Sequence, residues 1–355
     1  MSEQPIVFDE WQTGDGERIA VVRLNTPRTL NSLSLEMIRL LVPRLQAWAE
    51  DDQVRAVWLE AEGDKAFCAG GDIVALYRSM TEPGGTGEGE AFFTEEYELD
   101  YLIHTYPKPI VCWGHGIVMG GGMGIMEGAS HRVVTETTRM AMPEISIGLY
   151  PDVAAGWFLN RAPGRTGLFL GLTGARMNAA DALFTGLADR FIRHDLKAAV
   201  ISDLKQKAWQ GEDAHALVSS VLRQFEQQSQ DALPESPVRS HFDDINRVTD
   251  ADTLDAVIRQ LTELADRDGW LGRATASLES ASPTSLALVW EHLHRCRLEG
   301  LKQVLDRELV LSKNCLYRGE FAEGIRALLI DKDKQPRWRY ASLAEMDSAW
   351  IDSFF

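Results

Sequence analysis

Apolar positions fall along the chain in two rhythms. Short runs over 19–24, 54–60 and 110–113 are apolar enough for buried strands, whereas Leu35, Ile38, Leu41, Val42, Leu45 and Trp48 return at helical spacing. Ser34 stands where an N-cap would open that helix, and Pro43 interrupts its stripe, which predicts a kink or a restart. Strand, helix, strand at this spacing is a βαβ unit. It recurs as a helix over 73–80, the strand over 110–113, a helix from about Gly121 and a strand over 132–135.

Between these units the glycine-rich stretch 81–89 reads as a flexible loop, after which Phe92, Phe93, Tyr97, Tyr101 and Leu102 line the apolar face of a helix over 91–105. Short helices over 168–172 and 179–185 lie among turns at Gly171, Gly174 and Gly186, and 187–192 predicts a last short strand. From about Lys197 the texture becomes helical, over 198–209, 216–228 and 252–265, with the proline-bearing stretch 231–237 as the linker. The expectation is an α/β fold: an α/β core over 1–230 carrying the candidate site, and a helical region over 231–355 packed on it.

A chain of 355 residues can bury a large core, and none of its apolar runs approaches the roughly 20 residues that span a bilayer. The formal charge of −17 argues against nucleic acid or an anionic membrane surface as a partner. Met1-Ser2-Glu3-Gln4-Pro5 has neither signal-peptide nor transit-peptide character, which predicts a cytoplasmic protein. Cys68, Cys112, Cys296 and Cys315 are scattered, without zinc or dithiol spacing, so reduced thiols and no metal site are expected.

Three stretches carry candidate chemistry. In Phe67-Cys68-Ala69-Gly70-Gly71-Asp72-Ile73, and again in Gly114-His115-Gly116-Ile117-Val118-Met119-Gly120-Gly121-Gly122-Met123-Gly124, a strand runs into glycines at the head of a helix. Backbone N–H groups left unpaired there can be aimed at an anion, and two that converge make an oxyanion hole. Neither a G-x-G-x-x-G spacing nor a P-loop lysine is present, and Gly120 and Gly122 are expected to serve close packing of the helix. The third stretch, Met142-Pro143-Glu144-Ile145 through Leu149-Tyr150-Pro151-Asp152-Val153-Ala154-Ala155-Gly156-Trp157, sets Glu144 and Asp152 among apolar residues, prolines and glycines. One such acid by itself would cap a helix or pair with an arginine such as Arg161; beside the two glycine turns it becomes a site candidate. A G-x-S-x-G elbow and a recognisable histidine triad motif are both absent from the sequence.

In this order and spacing the three stretches resemble the crotonase (enoyl-CoA hydratase/isomerase) superfamily, and 142–157 is most similar to its 3-hydroxyisobutyryl-CoA hydrolase branch. The likeness continues at Ser282-Pro283-Thr284-Ser285-Leu286 and from Phe321-Ala322-Glu323-Gly324-Ile325 onward. It implies a crotonase-like spiral of ββα-type units with an α-helical C-terminal region. Among site residues it implies the N–H groups of Gly71 and Gly121 at a thioester oxygen and Glu144 as nucleophile or general base. Asp152 would orient a 3-hydroxyl or the water and assist proton transfer. By pattern alone Glu95, Glu96 and Glu98 are a solvated face; the resemblance singles out Glu96 as a substrate contact. Arg28 and Lys65 are its candidates for the phosphates of coenzyme A.

Two departures matter. The hydratases' first glutamate falls here on Gly124, which argues against a two-acid addition of water across a double bond. Ala154 and Ala155 replace glycines common in the hydrolase branch, and their methyls bear on the acyl pocket. The implied activity is hydrolysis of 3-hydroxyisobutyryl-CoA or a related 3-hydroxyacyl-CoA, in valine catabolism. No cofactor is implied beyond the coenzyme A carried by the substrate, and a homo-oligomer is one expected assembly. A hydratase or isomerase with Glu144 as sole acid, and a non-catalytic acyl-CoA-binding protein, stand as alternatives.

Overall fold

The first hairpin sets the edge of the main sheet, with β1 (Ile6–Gln12) antiparallel to β2 (Arg18–Leu24). From β2 onward the sheet is parallel, through β3 (Val54–Ala61), β5 (Ile110–Gly114), β7 (His131–Val134) and β9 (Arg190–Phe191). A second sheet joins β4 (Ala66–Cys68), β6 (Ile117–Met119) and β8 (Arg139–Ala141). This computed structural model describes residues 4–265 and 269–355.

The helices begin where side chains can satisfy their first N–H groups. Ser34 Oγ accepts from Met37 N–H at 3.2 Å and opens α1 (Leu35–Glu50), which runs through Pro43 as one helix. Proline removes only one ladder bond, so the expected interruption costs less than the burial of Ile38, Leu41, Leu45 and Trp48 returns. Asp72 caps α2 (Ile73–Thr81), and α3 (Thr86–His104) begins inside the stretch expected to be a loop. Gly121–Gly128 forms α4.

Parallel strands bury both faces, which is why their apolar runs are nearly continuous. Ile19 and Val21 on β2, Trp58 on β3, Trp113 on β5 and Val133 on β7 share one core with Val200, Leu204, Val218 and Leu222 of the helices Lys197–Gln206 and Ala214–Gln227. Trp58 stacks on Trp113 with ring centroids 5.6 Å apart.

The chain does not divide at 230/231. One compact unit comprises Met1–Gly71, Glu98–Met140 and Met177–Ser236, and the other comprises Asp72–Tyr97, Ala141–Arg176 and Pro237–Phe355. The physical reason lies in where the late helices bury their apolar faces. Pro283–Cys296 packs on Thr166–Thr173, and Phe321 meets Phe93 with ring centroids 6.4 Å apart. Among the described residues no helix is long and apolar enough to cross a membrane.

Candidate active site

In the first unit, the parallel pairing of β4 with β6 places two glycine turns side by side. Cys68 pairs with Val118, and Gly71 and Gly121 lie at equal steps beyond that pair. Gly70 has φ 113°, and a Cβ there would meet the Met119 carbonyl oxygen at 3.4 Å and Gly120 Cα at 3.9 Å. Gly121 is the first residue of α4, so its N–H has no preceding turn to bond. Gly120, with φ 48°, supplies the positive backbone angle before it, and a Cβ on Gly122 would run into the Cys68 carbonyl. The triplet therefore combines a turn, an open donor and a close packing contact.

In the second unit, Glu144 opens a 3-10 turn, Glu144–Ile147, between Pro143 and Gly148. The late motifs hold that turn. Ser282 N–H donates to the Ile145 carbonyl at 3.2 Å, and Ser282 Oγ donates to Glu320 at 2.6 Å. A Cβ on Gly148 would meet the Glu320 carbonyl oxygen at 2.5 Å, and one on Gly324 would run into Ile147. Glu144 is 5% exposed, and its Oε2 has no hydrogen-bond partner among the described residues. The arginine alternative does not hold: Arg161 donates to the Trp157 carbonyl at 2.8 Å and lies over the Trp157 ring. Burial, with the charge of Asp152 added to it, holds the Glu144 carboxyl well above the usual carboxylate range.

Asp152 is buried as well, and burial pushes its carboxyl up to about 7 against the downward pull of a Tyr97 hydrogen bond. The Tyr97 hydroxyl donates to Asp152 Oδ2 at 2.6 Å and lies 2.6 Å from Ser312 Oγ. Ser312 Oγ is 3.0 Å from the Tyr150 hydroxyl, which donates to the Glu308 carbonyl at 2.9 Å. Two buried carboxyls that each resist ionising hold a proton more tightly than ordinary acids, which suits a pair that must accept and return one.

The turn after Asp152 is strained. Val153 and Ala154 have φ values of 52° and 71°, a region that side chains disfavour and a β-branched residue most of all. Glu308 pins it, accepting from Ala154 N–H at 2.7 Å, from Gly156 N–H at 3.0 Å and pairing with His292 Nε2 at 2.9 Å. Cys296 Sγ lies 3.3 Å from His292 Nδ1 behind it. A Cβ on Gly156 would meet His292 Nε2 at 2.5 Å and Val304 Cγ1 at 3.0 Å. Gly156→Ala is therefore expected to destabilise the protein by about 1–3 kcal/mol, read by denaturant titration.

Tyr97, Glu308, His292 and Ser312 were not singled out by sequence pattern. Glu308 carried a signal all the same, because it falls at helical spacing among Val304, Leu305, Leu311, Ser312 and Cys315, where an acid on an apolar face needs partners. Glu96, beside Tyr97 on α3, is 2% exposed, while Glu98 is exposed, so the face that pattern treats as solvated is split. Arg28 and Lys65 are exposed residues of the first unit, and Cys68 and Cys112 are buried. The glycine pair belongs to the first unit, and Glu96, Glu144 and Asp152 belong to the second.

Residues 19–355 match the protein family described as enoyl-CoA hydratase/isomerase. The mitochondrial 3-hydroxyisobutyryl-CoA hydrolase of Xenopus tropicalis is 38% identical over 94% of this chain and 86% of its own length. The enzyme of the same name from Danio rerio is 36% identical over 95% of this chain and 87% of its own. A crystal structure of a carnitinyl-CoA dehydratase from Mycobacterium thermoresistibile superposes with a TM-score of 0.87 at 35% identity, covering 99% of this chain and 96% of that one. The expectation of a cytoplasmic protein is corrected by these relatives, which are named mitochondrial. A targeting address is read by a receptor and is separate from the packed fold, so composition near one end was a poor guide to it.

Proposed function

Because this chain belongs to the enoyl-CoA hydratase/isomerase family, we propose that it is an acyl-CoA thioester hydrolase that converts 3-hydroxyisobutyryl-CoA, or a related 3-hydroxyacyl-CoA, and water to the free acid and coenzyme A. Valine catabolism is the setting this substrate implies. The observation that carries the reading is the buried pair Glu144 and Asp152 in a chain whose α4 has Gly124 where the hydratases' first acid would stand. The next acid on α4, Glu127, is engaged by Arg132 at 2.6 Å.

In this reading the N–H groups of Gly71 and Gly121 receive the thioester oxygen as it gains negative charge. Glu144 attacks the carbonyl carbon or takes a proton from the attacking water, and Asp152 orients the 3-hydroxyl or the water and passes the proton on to the departing thiolate. Glu96 contacts the substrate. The chemistry calls for no redox group or metal, and coenzyme A enters as part of the substrate. Self-association into a homo-oligomer belongs to the same reading and is checked by sedimentation.

A panel of acyl-CoA thioesters assayed together for thiol release and for change at the double bond tests the assignment. Thiol release strongest on 3-hydroxyacyl substrates is expected. Hydration of enoyl-CoA without thiol release would replace it with a hydratase, and binding without turnover with a carrier. The pH profile follows from the raised carboxyls. Asp152 must be ionised to receive the proton that it passes on, and burial pushes its carboxyl up to about 7, so kcat/KM should fall as pH drops through that value instead of holding to the usual carboxylate range.

A further inference from the structure

Asp152 sits at the end of a buried hydroxyl chain whose members all belong to the second unit. From Asp152 Oδ2 the chain runs to the Tyr97 hydroxyl at 2.6 Å, to Ser312 Oγ at 2.6 Å, to the Tyr150 hydroxyl at 3.0 Å and to the Glu308 carbonyl at 2.9 Å. Each hydroxyl has one proton to give and lone pairs to accept with. That permits two arrangements. With Asp152 ionised, Ser312 donates to Tyr97 and Tyr97 to the carboxylate, while Tyr150 keeps its bond to the Glu308 carbonyl. With Asp152 protonated, the donors reverse: Asp152 gives to Tyr97, Tyr97 to Ser312, Ser312 to Tyr150 and Tyr150 to the same carbonyl.

Both arrangements leave every buried hydroxyl paired, which buried polar groups require. A backbone carbonyl terminates the chain and takes no proton, so the hydroxyls reorient without carrying one away. We infer that Tyr97, Ser312 and Tyr150 act as positioning residues, a reversible clamp that holds Asp152 in one place whether its carboxyl is ionised or protonated. The inference rests on the proposed role of Asp152. A group that accepts a proton in one half of a reaction and returns it in the other gains from a setting that suits both states, because its carboxyl need not swing between them.

The other charged and titratable groups around the clamp are Glu144 on its 3-10 turn, Glu308 and Cys315 on the helix Leu301–Arg318, Glu96 beside Tyr97 on α3, and His292, which pairs with Glu308. None of them replaces the Tyr97 hydroxyl, the one side-chain donor to Asp152 among the described residues.

The two halves of the clamp can be broken separately, and they push the carboxyl in opposite directions. Tyr97→Phe removes the donor to the ionised form, whose charged hydrogen bond is the stronger, and should move the Asp152 titration and the acidic limb of kcat/KM upward by about one pH unit. Ser312→Ala takes a donor from the Tyr97 oxygen when Asp152 is ionised, where the Tyr97 proton stays paired, but leaves that proton without an acceptor when Asp152 is protonated; the second loss is the larger, so both should move downward by about half a unit to one unit. Carbon-13 NMR of the Asp152 carboxyl, with folding checked by circular dichroism, reads these shifts without any turnover. A failure of the hydrolase assignment is therefore separable from a failure of the clamp. Opposite shifts support it; shifts in the same direction, or none, overturn it. Should Tyr97→Phe not fold, Ser312→Ala decides alone, and an absent or upward shift in that variant overturns the inference.

Discussion

Glu144→Gln should lower thiol release on the order of 10²- to 10⁴-fold on every acyl-CoA while leaving thioester binding intact. Glutamine keeps the shape of the side chain but can neither accept the proton nor form an acyl anhydride. The same change should make the protein more stable, and increasingly so as pH rises. A carboxyl whose proton affinity is raised by folding stabilises the native state most below its unfolded value. It loses that contribution as pH climbs, because the native protein must then keep a proton or bury a charge. Thermal melts of both proteins at about pH 5 and about pH 8 should show the larger gain for the variant at the higher value. A folded Glu144→Gln enzyme releasing coenzyme A at the wild-type rate would sink the mechanism. An equal gain at both pH values would remove the burial argument.

Glu308→Gln should cost about 2–4 kcal/mol of stability and reduce turnover with it, although position 308 is assigned no part in the chemistry. The carboxylate spends one oxygen on Ala154 N–H and the other on Gly156 N–H and His292. An amide offers one acceptor and must turn its NH₂ toward a donor, leaving a buried N–H without a partner. Ala155 N–H keeps its bond to the Asp152 carbonyl at 2.9 Å, but Glu308 is the side chain that holds the nitrogens of Ala154 and Gly156, and without it Val153 and Ala154 would be released from their left-handed backbone angles. Chemical denaturation gives the stability change. Single-turnover thiol release gives the consequence for Asp152, and an unchanged rate in a destabilised variant would separate the pin from the site.

The elements that were legible in the sequence are those whose own pattern determines them. Ser34 and the stripe from Ile38 to Trp48 announce α1, and the turns at Gly174 and Gly186 bracket Ala179–Thr185. Strands β4 and β6 were not legible, because three residues are too few for any period to show and their stability comes from pairing with each other. The start of α3 among glycines was missed for a related reason: weak helix formers join a helix that packing stabilises further along. The two-part division failed because it followed texture along the chain, whereas the units follow burial in space. At the candidate site, the acids stood out as charges in apolar surroundings. Tyr97 did not, since a tyrosine on an apolar stripe looks like core until its hydroxyl is traced to Asp152.

The partners of the Asp152 turn also set an order of events at the ribosome. Ser312 comes 215 residues after Tyr97, and Glu308 comes 154 residues after Ala154. Until Leu301–Arg318 has been synthesised, the Val153–Ala154 bend has no Glu308 to pin it and Tyr97 no Ser312 beside it. Contacts this distant along the chain form slowly. The second unit is thus a late-folding body, and a pulse of proteolysis during synthesis should find 141–176 open to cleavage long after the strands of the first 71 residues have been made.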